Sequence, residues 1–94
     1  MNNKIPKYVV VENKIKESLK YRYVDEKLPG ERVLAKEFGV SYMTLRKAVD
    51  NLVAEGYLYR VATQGTYVSH YGAIRSMARN IARFSEHSTI SEVA

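Results

Sequence analysis

The chain has 94 residues, of which 46% are hydrophobic, and a formal net charge of +5. This length allows one small domain, the hydrophobic fraction argues against wholesale disorder, and the charge favours an anionic partner such as nucleic acid. The absence of cysteine excludes disulfides, cysteine-based zinc sites and a thiol nucleophile, and it permits a reducing compartment. No apolar run is long enough to span a membrane, so we expect no membrane partner and a cytoplasmic protein.

The first part of the chain is predicted to be a flexible arm followed by a helix. Residues 1–7 are polar and carry a proline near their end, where it is tolerated before a helix. Residues 8–21 have a helical pattern, and its apolar members are Tyr8, Val11, Ile15 and Leu19. Residues 22–27 are charged and have no period, so we expect a loop there. A short extended piece should follow at Leu28-Pro29.

Two helices joined by a three-residue turn form the centre of the pattern. Residues 31–38 predict a short helix that ends at Gly39. Ser41 is a good N-cap for a third helix that extends to Gly56. The apolar side chains of this third helix recur at i, i+3, i+4 and i+7, and they are Leu45, Ala48, Val49 and Leu52. Because the turn contains glycine, the two helices form a helix-turn-helix signature.

A β-hairpin is predicted directly after the third helix. Residues 57–61 are rich in aromatic and β-branched side chains, residues 62–65 can turn, and residues 66–68 can return. Three helices and such a hairpin are the parts of a winged helix-turn-helix. The expected fold is therefore mainly α with a small β-hairpin, and the winged-helix domain should cover residues 8–69.

Beyond the hairpin, residues 70–94 are predicted to form a helix and a tail. Residues 69–71 break the pattern, and residues 72–84 resume it with an apolar face of Ile74, Met77, Ala78 and Ile81. An isolated helix of this length is marginal in water, so this face should pack on the first helix or pair with a second chain. The opposite stripe of Arg75, Arg79 and Arg83 is read as a solvated face, with a phosphate contact or a linker role as the alternative.

The exposed start of the third helix is the first candidate site. Thr44, Arg46 and Lys47 lie away from the apolar face, as in a helix that enters a DNA major groove. Tyr42 either contacts DNA or packs against the second helix, and both readings remain open. At the predicted wing tip, Gln64 and Gly65 suit an approach to the minor groove, since glycine lets the backbone come close. The tyrosines of the hairpin are read as packing residues, and they are Tyr57, Tyr59 and Tyr67.

Several motifs in combination resemble one family of bacterial regulators. They are Leu28-Pro29-Gly30-Glu31-Arg32, Leu34-Ala35, Phe38-Gly39-Val40-Ser41, Thr44-Leu45-Arg46, Ala48, Leu52, Glu55-Gly56 and Gly65-Thr66-Tyr67-Val68. With this spacing, residues 6–68 resemble the DNA-binding domain of GntR-family transcription regulators. Pro6-Lys7-Tyr8 is similar to the start of the first helix in the HutC-like subgroup of that family.

The resemblance implies a winged helix that reads a short inverted repeat in double-stranded DNA, usually as a homodimer, to control transcription. It implies DNA contacts at Arg32, Ser41, Tyr42, Thr44, Arg46 and the wing around Gly65. Lys47 and Gln64 are added to these candidates because Lys47 lies on the exposed start of the third helix and Gln64 at the predicted wing tip. The chain departs from the family at two of these positions. It has Tyr42 where the family commonly has arginine, and Gln64 where the wing commonly has a basic residue. Family members normally carry a C-terminal domain that binds a small-molecule effector, which makes residues 70–94 a candidate linker.

No metal site, cofactor or enzyme activity is expected. His70 and His87 lie 17 residues apart without a third ligand, and no catalytic constellation or phosphate loop stands out. The main alternative to DNA binding is a winged helix that docks another protein. The charge distribution favours DNA, because residues 1–69 carry twelve basic and eight acidic groups, against three and two in residues 70–94.

Overall fold

Three α-helices precede one β-hairpin in a computed structural model that describes residues 5–76. The elements are α1 (Lys7–Ser18), α2 (Glu31–Phe38), α3 (Tyr42–Ala54), β1 (Leu58–Val61) and β2 (Gly65–Val68). A 3-10 turn at Leu19–Tyr21 continues α1, and residues 70–76 are helical again. This order confirms the predicted winged helix-turn-helix. None of the helices in the described range is long and apolar enough to cross a membrane.

Local signals explain why α2 and α3 lie where the sequence predicts them. Gly39 ends α2 in the left-handed region, with φ of +67°, which glycine adopts without a steric penalty. The Ser41 Oγ accepts a hydrogen bond of 3.1 Å from the Thr44 N–H and so satisfies one free donor at the start of α3. Only residues 39–41 therefore separate the two helices.

The first helix differs slightly from its prediction. It begins at Lys7 rather than at Tyr8, because the Pro6 carbonyl already accepts hydrogen bonds from the N–H groups of Val9 and Val10. Its last turn tightens into the 3-10 turn at Leu19–Tyr21 instead of ending as regular α-helix. Lys7, the last residue of the predicted arm, thus belongs to α1, and the first four residues of that arm lie outside the described part of the chain.

A single hydrophobic core joins the three helices to the hairpin. Its members are Val11, Ile15, Leu19, Leu28, Leu34, Ala35, Leu45, Ala48, Val49, Leu52, Tyr57, Leu58, Val68 and Ala73. All four apolar residues predicted for α3 have no exposed surface. The polar start of α3 must therefore face away from the core.

The hairpin of β1 and β2, which we call the wing, has a third segment paired with it that the sequence did not predict. β1 and β2 pair antiparallel, with Leu58 opposite Val68. The segment 25–28, predicted as a loop and an extended piece, lies along the other edge of β2. There the Leu28 N–H donates to the Thr66 carbonyl at 2.8 Å, and the Val68 N–H donates to the Glu26 carbonyl at 3.0 Å. The rings of Tyr59 and Tyr67 stack with centroids 5.5 Å apart, which confirms their packing role.

The chain after the wing departs from the prediction of a break at residues 69–71. The Ser69 Oγ accepts a hydrogen bond of 2.9 Å from the Gly72 N–H, so Ser69 caps a helix that starts at residue 70. Ala73 and Ser76 are buried, whereas Ile74 is 47% exposed, so the domain covers only part of the Ile74 side chain. The other predicted members of that helix, Met77, Ala78, Arg79, Ile81 and Arg83, lie outside the described residues.

Candidate nucleic-acid interface

One groove of about 470 Å³ lies where the starts of α2 and α3 meet the wing. It is lined by Lys27, Leu28, Pro29, Gly30, Glu31, Arg32, Tyr42, Arg46 and residues 60–66. Four of these side chains are cationic and one is a carboxylate. We call this feature the basic groove. It brings together five of the eight residues predicted to contact DNA, namely Arg32, Tyr42, Arg46, Gln64 and Gly65.

The other three predicted residues lie outside the basic groove. Ser41 is exposed, and its Oγ accepts from the Thr44 N–H and also contacts the Thr44 hydroxyl at 3.0 Å. Lys47 is exposed on the side of α3 that faces α1, with its Nζ 4.7 Å from the ring centroid of Tyr8. All three nevertheless belong to the first half of α3 and its cap, beside the groove rather than within it.

Tyr42 packs on the second helix and also borders the basic groove. The guanidinium carbon of Arg32 lies 4.1 Å from the centroid of the Tyr42 ring, which is a cation–π distance. The Tyr42 Oη accepts a hydrogen bond of 3.0 Å from Nη1 of Arg46. The side chain is half-buried. Of the two readings left open, packing against α2 is therefore present, and Tyr42 also lines the groove.

Glu31, the first residue of α2, accepts hydrogen bonds from side chains of α3 and of both strands. Its Oε2 accepts from Nε and Nη2 of Arg60 at 3.1 and 2.9 Å, and from the Thr66 hydroxyl at 3.5 Å. Its Oε1 accepts from Nη1 of Arg46 at 3.3 Å. Nη1 of Arg60 also lies 2.7 Å from Oδ1 of Asp50 in α3. We call Glu31, Arg46, Asp50, Arg60 and Thr66 the Glu31 cluster.

Arg60 and Asp50 were missed by the sequence reasoning, in which Glu31 appeared only as part of the motif Leu28-Pro29-Gly30-Glu31-Arg32. Burial lowers the pKa of Arg60, but its hydrogen bonds to Asp50 and Glu31 outweigh this effect and leave the pKa raised. Arg60 therefore remains charged at any ordinary pH. No local pattern pointed to the cluster, because Arg46 and Arg60 lie 15 and 29 positions from Glu31.

The wing side of the groove carries one further cation that the sequence reasoning missed. Lys27 is exposed and passes over Gly65, so closely that a Cβ at Gly65 would lie 2.8 Å from the Lys27 Cε. Gly65 also has φ of +138°, a value that side chains rarely permit. Within residues 5–76, Lys27 makes no ion pair. Beside it, Gln64 is exposed at the wing tip.

Sequence comparisons match most of this chain to one family of bacterial regulatory proteins. The sequence model of "Bacterial regulatory proteins, gntR family" matches residues 7–68. The chain is 42% identical over 64 residues to the HTH-type transcriptional regulator GmuR of Bacillus subtilis (strain 168), covering 66% of this chain and 27% of that protein. It is 45% identical over 67 residues to the HTH-type transcriptional repressor NagR of the same organism, covering 69% of this chain and 28% of that protein. The chain thus spans little more than a quarter of the length of these relatives.

Solved structures extend the likeness to the fold. The structure of AraR(DBD) in complex with operator ORE1 superimposes with a TM-score of 0.68 at 37% identity, covering 73% of this chain and 89% of that chain. A GntR family transcriptional regulator from Listeria monocytogenes gives a TM-score of 0.73 at 23% identity, covering 98% of this chain and 83% of that chain. The second likeness concerns the fold alone.

Proposed function

This chain belongs to the gntR family of bacterial regulatory proteins, and we propose that it binds double-stranded DNA sequence-specifically to regulate transcription. The basic groove carries the proposal, because it places cations from α2, α3 and the wing along one concave surface. Phosphates supply most of the affinity of such a surface, and base edges supply the specificity. The AraR DNA-binding domain, a structural neighbour, was solved with operator DNA.

In the proposed binding mode, the start of α3 enters the major groove and the wing tip lies near the minor groove. Arg46 is the leading candidate for reading a base, since arginine can bond guanine O6 and N7 together. Arg32 and Lys47 would hold phosphates on either side of it. Thr44 would contact the backbone or a base edge. The remaining proposed contacts are Ser41, Tyr42, Gln64 and Gly65.

We further propose a homodimer on a short inverted repeat. One copy of the domain presents one α3, and two half-sites about one helical turn apart therefore require a second copy. Placement in the HutC-like subgroup is supported by Pro6-Lys7-Tyr8, where Pro6 precedes the first turn of α1. Residues 70–94 would then connect to an effector-binding domain outside this chain. A regulator of bacterial transcription acts in the cytoplasm, and its proposed role involves no cofactor and no catalytic step.

Selection from a randomised pool of duplexes tests this function. The bound DNA is sequenced, and fluorescence anisotropy then compares the enriched duplex with a scrambled one across a salt series. We expect enrichment of a short motif and a linear fall of log K with log salt, with a slope of about −0.9 for each phosphate contacted. Absence of binding to any duplex at low salt would refute the proposal and favour docking to another protein.

A further inference from the structure

We propose that Glu31 is a positioning residue for DNA recognition. It holds Arg46 of α3 and Arg60 of the wing in one charged cluster, so that the reading surface is oriented before DNA arrives. This inference rests on the proposed function, because it concerns how the same groove distinguishes one duplex from another. It assigns Glu31 an action through its arginines and no contact with DNA of its own.

The hydrogen bonds of Glu31 engage both oxygens of its carboxylate. Oε2 is shared by the fork of Arg60 and the Thr66 hydroxyl, and Oε1 faces Arg46. The side chain is only 14% exposed, although it borders the groove. A carboxylate that reads cytosine must accept from the base amino group. Both oxygens of Glu31 already bond to protein groups and little of the side chain is exposed, so its indirect role is the favoured one.

One nitrogen of the Arg46 guanidinium group is held by the protein, and the rest of the group is available to contact DNA. Only its Nη1 is engaged, by Glu31 and by Tyr42. Across residues 5–76, its Nε and Nη2 have no hydrogen-bond partner, and 46% of the side chain is exposed. The edge formed by Nε and Nη2 can therefore make a paired contact while Nη1 stays anchored. Anchoring a long side chain in advance reduces the entropy lost on binding.

Arg60 links the same carboxylate to the wing. It bonds Glu31 through Nε and Nη2 and lies against Asp50 of α3 through Nη1. Glu31 and Asp50 thus hold the wing strand β1 against both helices through Arg60. The distance between α3 and the wing tip is thereby fixed, which a duplex would require for simultaneous contact with both grooves.

Removing the charge of Glu31 should change specific and non-specific binding in opposite directions. Glu31→Gln deletes a negative charge from the basic groove, so attraction to any phosphate backbone increases. The same change weakens the hold on Arg46 and Arg60, so the preference for the correct base decreases. A residue with a merely structural role would weaken both kinds of binding together.

The test uses the full 94-residue chain with anisotropy on the selected duplex and a scrambled duplex. For Glu31→Gln we expect the ratio of the two affinities to fall by roughly tenfold, within the factor of about 5 to 150 that one paired base contact provides. The scrambled duplex alone should bind more tightly than it does to the wild type. The matched control is Glu37→Gln, which removes the same charge from an exposed position of α2 that does not line the groove. Its affinity ratio should stay at the wild-type value.

A double-mutant comparison tests the route through Arg46. Once Arg46→Ala is present, adding Glu31→Gln should reduce the ratio far less than it does in the wild type. If Glu31→Gln fails to fold, Glu31→Asp replaces it, because aspartate keeps the charge but draws the carboxylate back from both arginines. Glu31→Asp should lower the ratio and leave the scrambled duplex unchanged.

Two results separate the failure of this inference from the failure of the proposed function. A wild-type chain that does not distinguish the two duplexes would refute the function itself. A wild-type chain that distinguishes them, with Glu31→Gln or its substitute Glu31→Asp equal to Glu37→Gln, would overturn the positioning role and leave the function standing.

Discussion

Asn51 of α3 donates a hydrogen bond of 2.6 Å from its Nδ2 to Oε2 of Glu12 in α1, 39 positions earlier in the chain. Glu12 is 9% exposed, and the buried core residues Val11 and Ile15 precede and follow it along α1. A carboxylate in such a place loses its hydration, and the amide restores one of the lost hydrogen bonds. The contact therefore joins the two helices with a polar bond beside their apolar interface.

We predict that Asn51→Ala destabilises the domain by about 1–3 kcal/mol, because it leaves a buried carboxylate without its donor. Urea denaturation followed by circular dichroism would measure the change in unfolding free energy. The control is Asn13→Ala, since Asn13 is an exposed residue of α1. Its stability should remain within about 0.5 kcal/mol of the wild type. Equal losses in the two variants would contradict the role of the Asn51 bond.

We predict that Arg46→Ala weakens the selected duplex far more than a scrambled one. A paired contact with guanine provides about 1–3 kcal/mol of discrimination against other bases, and it should disappear at one position of each half-site. Arg46→Lys keeps the charge and loses the fork, so it should lose most of the discrimination as well. If Arg46 holds only a phosphate, alanine should weaken both duplexes alike and lysine should bind nearly as well as arginine.

We predict that Lys27 contacts a phosphate from the wing side of the basic groove. Lys27→Ala should therefore weaken all duplexes by a similar factor and reduce the salt slope by about 0.9. The comparison variant is Lys36→Ala, because Lys36 is exposed at the end of α2 and does not line the groove. Anisotropy across the salt series distinguishes the two. A slope that changes equally in both variants would remove Lys27 from the interface.

We predict a pH effect at the wing from Tyr59. Its hydroxyl donates a hydrogen bond of 2.6 Å to Oδ1 of Asp25, and this bond, with smaller effects of desolvation and of the Asp25 charge, raises the pKa of Tyr59 above its usual 10.0. Because the folded chain holds this proton more tightly than the unfolded one, the contribution to stability is present below pH about 10. It is lost as the pH rises through the pKa of the folded state.

Asp25→Asn tests this pKa directly. Asparagine tolerates the φ of +66° found at Asp25 and removes the negative charge, so the pKa of Tyr59 should fall towards 10.0. NMR titration of the ring carbon bonded to the hydroxyl would report it. Glu37→Gln removes a charge from α2, away from the wing, and should leave the Tyr59 titration where it was. An unchanged titration in Asp25→Asn would show that the Asp25 carboxylate does not control this pKa.

The sequence was sufficient for elements whose signals are local. The bounds of α2 and α3 follow from Gly39 and Ser41, and the buried face of α3 follows from apolar spacing. The Ser69 cap was also a local signal, but residues 69–71 were read as a break. Periodicity predicts Ile74 on the packing face, whereas the structure buries its small neighbour Ala73 and leaves Ile74 47% exposed.

The long-range polar contacts could not be predicted from the sequence. Glu31 bonds residues 15, 29 and 35 positions away, and no spacing rule connects positions that meet only after the helices and wing have packed. Five predicted contact residues do share one groove, because they flank the turn and the wing tip that the fold class itself brings together. Lys27 was missed because its segment had no period, although it pairs with β2.

The pairing of segment 25–28 with β2 has a consequence for how the domain folds. A two-stranded hairpin is marginal in water. Here, however, β2 is hydrogen-bonded to β1 on one side and to segment 25–28 on the other, and that segment leads into α2. The wing can complete its hydrogen bonds only after residues some 40 positions apart have met. The amide hydrogens of Leu28 and Val68 should therefore exchange with solvent only through cooperative opening of the whole domain and not through separate fraying of the hairpin.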